Sequence, residues 1–416
     1  MLNRRSCSVR PDAEAMTLIT ATCIYCDQGR PFTDEHVFPA GMGGDDDDYI
    51  LKNLVCGVCN TRVFSPLEAQ LMRNSPYALA RLHQQPTGRA RGSKAGPPEF
   101  AHDRCEMVDQ NGHVSEAQLT VGMKPMTLPQ IQILGDQVRL SGDNGADITA
   151  FLAELSTLLG NTAQVIVKIR SEETAKFDVT EYGWDGHDYQ EKVKTQCLKP
   201  PPAAIWLDSL AGSEGRAIGW PRIYKRHRGQ IVLRLMEPTE ASVFLSGTKR
   251  TLPKLVASSI PAAQLVEKPL IRVGMKANPQ EIFRAMAKIG VNFACHEYGD
   301  QIVRSSSFDW IREIIMNGGE SVPLTDVPQI QAMFSIDKRP VHVVMLFPQP
   351  IQDGYALAVL VRLYGSGTQM FLLAKDVELP PATAPVVFTV HYLENKIERL
   401  SMTSYVHYLT MQRRID

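Results

Sequence analysis

Four cysteines stand in two C-x-x-C pairs, Cys23-Ile-Tyr-Cys26 and Cys56-Gly-Val-Cys59. Each pair can present two sulfurs to one ion, so four thiolates at this spacing can close a tetrahedral zinc site. Twenty-nine residues separate the pairs, more than a minimal zinc ribbon uses, so the insert must hold something. Two alternatives stand beside the metal reading. The cysteines could be four unrelated buried residues. They could also be redox dithiols, against which stand the two pairs and the lack of a thioredoxin-like context. Cys7, Cys105, Cys197 and Cys295 are isolated and read as small buried hydrophobes. Asp12 and Glu14 break any apolar signal segment after Arg4, Arg5 and Arg10. No apolar run approaches the roughly 20 residues that span a bilayer. A cytoplasmic chain is therefore expected, where reduced, paired cysteines read as metal ligands.

The insert carries Thr33-Asp34-Glu35-His36-Val37-Phe38-Pro39, then Gly43-Gly44, then Asn53-Leu54-Val55 leading into Cys56. Asn60 follows the last cysteine. In this order, C-x-x-C, E-H-V-x-P, G-G and N-L-V-C-x-x-C-N resemble the HNH endonucleases of the ββα-metal class. The closest likeness is to their subgroup with a structural zinc on two C-x-x-C pairs. It covers about residues 23–75.

The resemblance implies a role for each matching residue. Cys23, Cys26, Cys56 and Cys59 would hold a structural Zn²⁺. His36, on the first strand, would be the general base, and an imidazole with a pKa near 6.5 suits a base at neutral pH. Glu35 and Asn60 would hold the catalytic cation, and Asn53 would orient His36. Glu35 stands where aspartate is more usual, and Asn60 where histidine is. A neutral amide oxygen is a hard ligand, which points to Mg²⁺ or Mn²⁺. Asn53 lies closer to the cysteine than the middle Asn of many relatives.

Plainer readings attach to several residues. His36, followed by Val and Phe, could be a core histidine. Asp34 reads as a solvated turn residue, Asp45 to Asp48 as a solvated acidic loop, and Glu68 as a surface charge. Arg62, Arg73, Arg89, Arg91 and Lys94 could hold phosphates without reading sequence. Lys225 to Arg228 reads as an exposed turn.

The rest of the chain must position these groups. Its 416 residues suggest two or three domains, and 44% hydrophobic content rules out a disordered chain. The net charge of −1 excludes a basic nucleic-acid coat but hides a local contrast. Residues 12–48 hold nine acids against Arg30, and residues 62–94 hold six bases against Glu68. Leu67 to Leu82 allows a helix that Pro76 splits or kinks. Strands are expected at 130–134, 138–140, 163–169, 203–207, 217–224, 230–235, 341–347, 355–364 and 369–373. Helices are expected at 147–159, 279–296 and 307–316.

The expected class is α+β, a small zinc-stapled ββα-metal module followed by a larger mixed α/β region. The expected organisation is a flexible tail at 1–22, the module with its basic linker at 23–100, and α+β regions at 101–200 and 201–416. Those last two regions could form one unit.

The function implied by the resemblance is metal-dependent hydrolysis of DNA phosphodiesters. Nucleic acid is the expected partner and a membrane is not; homo-oligomers are compatible with the sequence. The C-terminal region would give targeting, oligomerisation or regulation. A non-catalytic zinc-stabilised nucleic-acid binder and a ligand-gated nuclease effector of a defence system are the alternatives.

Overall fold

The computed structural model of the chain describes residues 21–85, 98, 100–101, 104–169, 176–209, 220–226, 229–258, 266–322, 324–325, 328–352 and 354–412. The tail expected at 1–22 lies outside them, except for its last two residues. The chain is mixed α+β. It divides into two compact units, one of Met1–Gly96 with Ala277–Asp416, the other of Pro97–Lys276. The boundary expected at 200/201 therefore falls inside a unit. The physical reason is a parallel ladder across the proline spacer, pairing Ile205 with Val165 and Trp206 with Ile166.

The first unit begins with a hairpin, β1 (Phe32–His36) and β2 (Ile50–Cys56), paired antiparallel. A π-helical turn over Cys59–Phe64 follows, in which Ser65 N–H reaches the Asn60 carbonyl. Helix α1 (Ser65–Arg73) continues from it. Pro76 ends the helical run as expected: Ser75 is an N-cap whose hydroxyl accepts from Tyr77 N–H at 3.1 Å, and α2 (Pro76–Gln84) starts there.

The chain returns to this unit with α3 (Pro279–Tyr298), capped by Asn278, whose side chain accepts from Gln280 N–H at 3.1 Å. It is buried almost all round from Ile282 to Cys295, the mark of a central helix. A six-stranded antiparallel sheet follows, formed by β3 (Val341–Ile351), β4 (Gly354–Arg362), β5 (Gln369–Val377), β6 (Val386–His391), β7 (Lys396–Ser401) and the short segment Leu324–Thr325. Its spatial order is 324–325, β5, β4, β3, β6, β7. One hydrophobic cluster joins Val37, Phe38, Leu67 and Leu71 of the N-terminal segment to Ile289 and Phe293 of α3 and to Val359 and Phe388 of the sheet. The described residues of the N-terminal segment therefore share the core of α3 and the sheet.

The second unit holds an eight-stranded mixed sheet and a four-stranded antiparallel one. Arg222 and Arg234 are almost fully buried and converge on Glu116, each at 2.5 Å. Arg222 also meets Glu106 at 2.8 Å, and Arg234 meets Asp208 at 2.5 Å. Buried guanidinium groups need such paired, bidentate partners. Strands Lys176–Trp184 and Tyr189–Cys197 have no counterpart in the sequence reading. Tyr189–Cys197 is polar and mostly exposed, so it shows no clean two-residue alternation. Among the described residues no helix is long and apolar enough to cross a membrane.

His342 on β3 is fully buried, and its ring lies 5.2 Å from that of Phe38 and 4.8 Å from that of Tyr392. Nε2 lies 3.1 Å from the Met42 carbonyl, and Nδ1 accepts from Tyr364 N–H at 3.1 Å, which fixes a neutral ring. Burial pushes its pKa down to about 3 from 6.5. The unfolded chain then binds this proton first, so stability falls as pH drops from about 6.5 toward 3. The slope from this one group is on the order of 1 kcal/mol per pH unit. Urea unfolding at pH 7, 6 and 5 should show a flatter acid limb in His342→Gln than in the wild type. Parallel limbs would contradict this assignment.

Candidate metal centre

The two knuckles are brought together by the hairpin. Ile24 N–H bonds to the Leu54 carbonyl at 2.9 Å, which lays the first knuckle beside β2. Cys56 closes β2 and Cys59 opens the π-helical turn. All four sulfurs lie within 4.8 Å of one another, with Cys23–Cys59 and Cys26–Cys56 both at 3.8 Å. Four sulfurs at about 2.3 Å from a zinc ion would form a tetrahedron with edges of about 3.8 Å. The cluster could therefore hold a metal ion such as zinc. The shared contact draws the Cys23 thiol down to about 4 and pushes Cys59 up. Arg312 supports the first knuckle, donating to the Ile24 carbonyl at 2.8 Å and pairing with Asp27 at 3.2 Å. Cys105 and Cys295 are buried free thiols, pushed by that burial to about 12, as inert core cysteines should be.

His36 ends β1 with one fifth of its side chain exposed. Asp46 Oδ1 lies 2.6 Å from its Nε2. An ionised carboxylate only accepts, so Nε2 carries a proton. The acidic run is more than a solvated loop. Asp45 is nearly buried, and its Oδ1 accepts from Asp47 N–H at 2.8 Å and Asp48 N–H at 3.1 Å. That turn presents Asp46 to His36. The Gly43-Gly44 pair is a backbone requirement at the start of the same loop. Gly43 has φ 95°, and a Cβ there would lie 2.4 Å from Tyr392 Cα; at Gly44 it would lie 2.1 Å from the Phe38 carbonyl oxygen.

The other motif residues take different places. Asn53 is exposed and has φ 58° within β2, where three residues, Lys52 to Leu54, oppose Asp34 alone. Asparagine tolerates this left-handed conformation, so the bulge accounts for the residue type. Asn60 lies across from β1. Its Nδ2 donates to Thr33 Oγ1 at 3.2 Å and to the Asp34 carbonyl at 3.1 Å, leaving Oδ1 as its remaining polar atom. Arg62 and Arg73 are exposed. Arg89, Arg91 and Lys94 lie outside the described residues.

Glu35 points away from His36, as neighbours on a strand do, and only 4% of it is exposed. Its carboxylate pairs with Lys288 of α3 and accepts from Asn292 Nδ2 at 3.2 Å. Lys288 is 1% exposed, also pairs with Glu68 at 2.7 Å, and lies 5.1 Å from the Phe64 ring centre. Glu68 is thus a partner of a buried ammonium, where the sequence suggested a surface charge. Burial acts to lower Lys288, and the attraction of Glu35 and Glu68 reverses this and raises it. Burial raises Glu35, Lys288 opposes that, and the nearby Glu68 carboxylate adds to it. Sequence spacing gave no sign of this contact, which joins residues more than 250 apart.

Comparison with protein-family models, curated proteins and solved structures returns no match for this chain.

Two outcomes follow. Lys288→Ala leaves two carboxylates facing a buried space and should cost about 3–5 kcal/mol in urea unfolding. Glu35→Gln keeps the Lys288–Glu68 pair and should cost much less; equal losses would contradict the charge assignment. Purified protein should carry about one zinc per chain by elemental analysis, and Cys56→Ser should lose both the metal and the fold. A folded, metal-free wild type would remove the metal reading.

Proposed function

We propose that this chain is a metal-dependent endonuclease of the HNH type, hydrolysing phosphodiester bonds of DNA. The observation that carries the reading is a partly exposed His36, held by the Asp46 carboxylate on a hairpin that a four-cysteine cluster joins to the following helix. The order of the motifs supports the same reading.

In this reading the His36 imidazole takes a proton from the attacking water. Asp46 stabilises the imidazolium that forms, which makes the ring a better base. Asn60 keeps Oδ1 as a neutral oxygen that could hold a cation, as the motif order implies. A bound Mg²⁺ or Mn²⁺ would neutralise charge building on the phosphate. Glu35 is committed to Lys288 and Asn292, so its role moves from cation ligand to support of the strand. Arg62 and Arg73 are exposed and suited to phosphate contacts that orient the duplex. Zn²⁺ at the four cysteines would be structural.

The commitment of Glu35 also favours a second reading, a zinc-stabilised nucleic-acid binder that cleaves nothing. Plasmid nicking with Mg²⁺ or Mn²⁺ separates the two. His36→Ala should slow nicking by about 10²- to 10⁴-fold, the usual contribution of a general base, and Asp46→Asn by less. Equal rates for His36→Ala and wild type would end the base assignment. No nicking with any metal, alongside retained DNA binding, would favour the binder.

A further inference from the structure

Helix α3 lies more than 200 residues from the motif in sequence yet reaches the backbone of His36. Asn292 of α3 is fully buried. Its Nδ2 donates to the His36 carbonyl at 3.0 Å and to Glu35 Oε1 at 3.2 Å. Its Oδ1 accepts from the Tyr25 hydroxyl at 2.6 Å. The amide orientation is determined by its partners: turned over, its oxygen would face a carbonyl and a carboxylate. Tyr25 lies between Cys23 and Cys26, and its ring meets Phe64 edge-on with centroids 4.6 Å apart.

We infer that Asn292 is a positioning residue for His36, and that the Tyr25–Asn292–His36 chain couples the cysteine cluster to the strand bearing the base. The inference rests on the reading of His36 as the base. The β1–β2 register extends to the His36–Ile50 pair, and Val37 N–H bonds to the Tyr49 carbonyl at 2.9 Å just beyond it. At that point Asn292 holds the carbonyl of His36 itself. A buried amide with both N–H groups and its oxygen engaged is a rigid fork, so it sets the strand's position relative to the knuckle. General-base catalysis is sensitive to displacements of this kind: a shift of about 1 Å can cost on the order of 10²-fold in rate. Asn292 touches neither substrate nor reacting atoms, so its effect must pass through the placement of the imidazole.

The test uses full-length Tyr25→Phe, which keeps the ring on Phe64 and removes only the hydroxyl, and Asn292→Ala. Both are read by zinc content, by nicking kinetics and by hydrogen exchange. The expected result is zinc retained in Tyr25→Phe, with kcat lowered about tenfold and KM for plasmid within twofold of wild type. Asn292→Ala should lower kcat by about 10²-fold. Exchange in residues 33–38 should quicken about tenfold in both, with 341–347 unchanged. A folded Tyr25→Phe protein with wild-type kcat and wild-type exchange over 33–38 would overturn the inference. If Asn292→Ala does not fold, Tyr25→Phe decides alone. If wild type does not nick DNA at all, the nuclease reading falls, and unchanged exchange over 33–38 would still refute the positioning role separately.

Discussion

A lysine ammonium at 1% exposure cannot be held in a protein interior without anions, and Lys288 has two. The desolvation cost of such a charge is several kcal/mol, and only close carboxylates offset it. Glu35 comes from the hairpin and Glu68 from α1, so satisfying one lysine fixes three elements against each other. Asn292, one turn along α3, adds the knuckle through Tyr25 and the end of β1 through His36. These polar contacts lie inside the same hydrophobic cluster that joins the N-terminal segment to α3 and the sheet. Apolar burial holds the segments together, and the buried polar groups decide how they register. An apolar contact tolerates a sliding interface, whereas an unpaired buried charge or amide does not.

This constraint also assigns the carboxylates around His36. Glu35 and Asp46 are both acids close to the imidazole in sequence terms, but only Asp46 meets the ring. Strand alternation turns Glu35 inward, where Lys288 meets it. The loop after Gly43-Gly44 turns Asp46 back onto His36, with Asp45 folding the turn through two backbone N–H groups. The acid beside His36 therefore comes from the loop instead of the strand.

The cluster of four cysteines was legible because C-x-x-C is a local device: its spacing alone presents two sulfurs to one point. The helix break at Pro76 and the central helix at 279–298 were legible for similar reasons, proline chemistry and a 3.6-residue apolar period. The polar strand at 189–197 was not, because an exposed strand carries no apolar alternation. The domain division was not legible either. The first unit is completed by a segment that begins at Ala277, and its shared core has no signature in either segment alone.

By itself, the sequence determined the local chemistry of this protein: two cysteine knuckles, a glycine-rich turn between them, and a helix break at Pro76. Each follows from covalent spacing or from the conformations one residue type allows. Only the tertiary structure decided which acid serves the histidine, which acids serve the buried lysine, and that Asn292 holds the His36 carbonyl. The first depends on how a ten-residue loop folds back on its strand, and the other two on contacts between residues more than 200 positions apart, made where water is excluded and every charge and amide must find a partner.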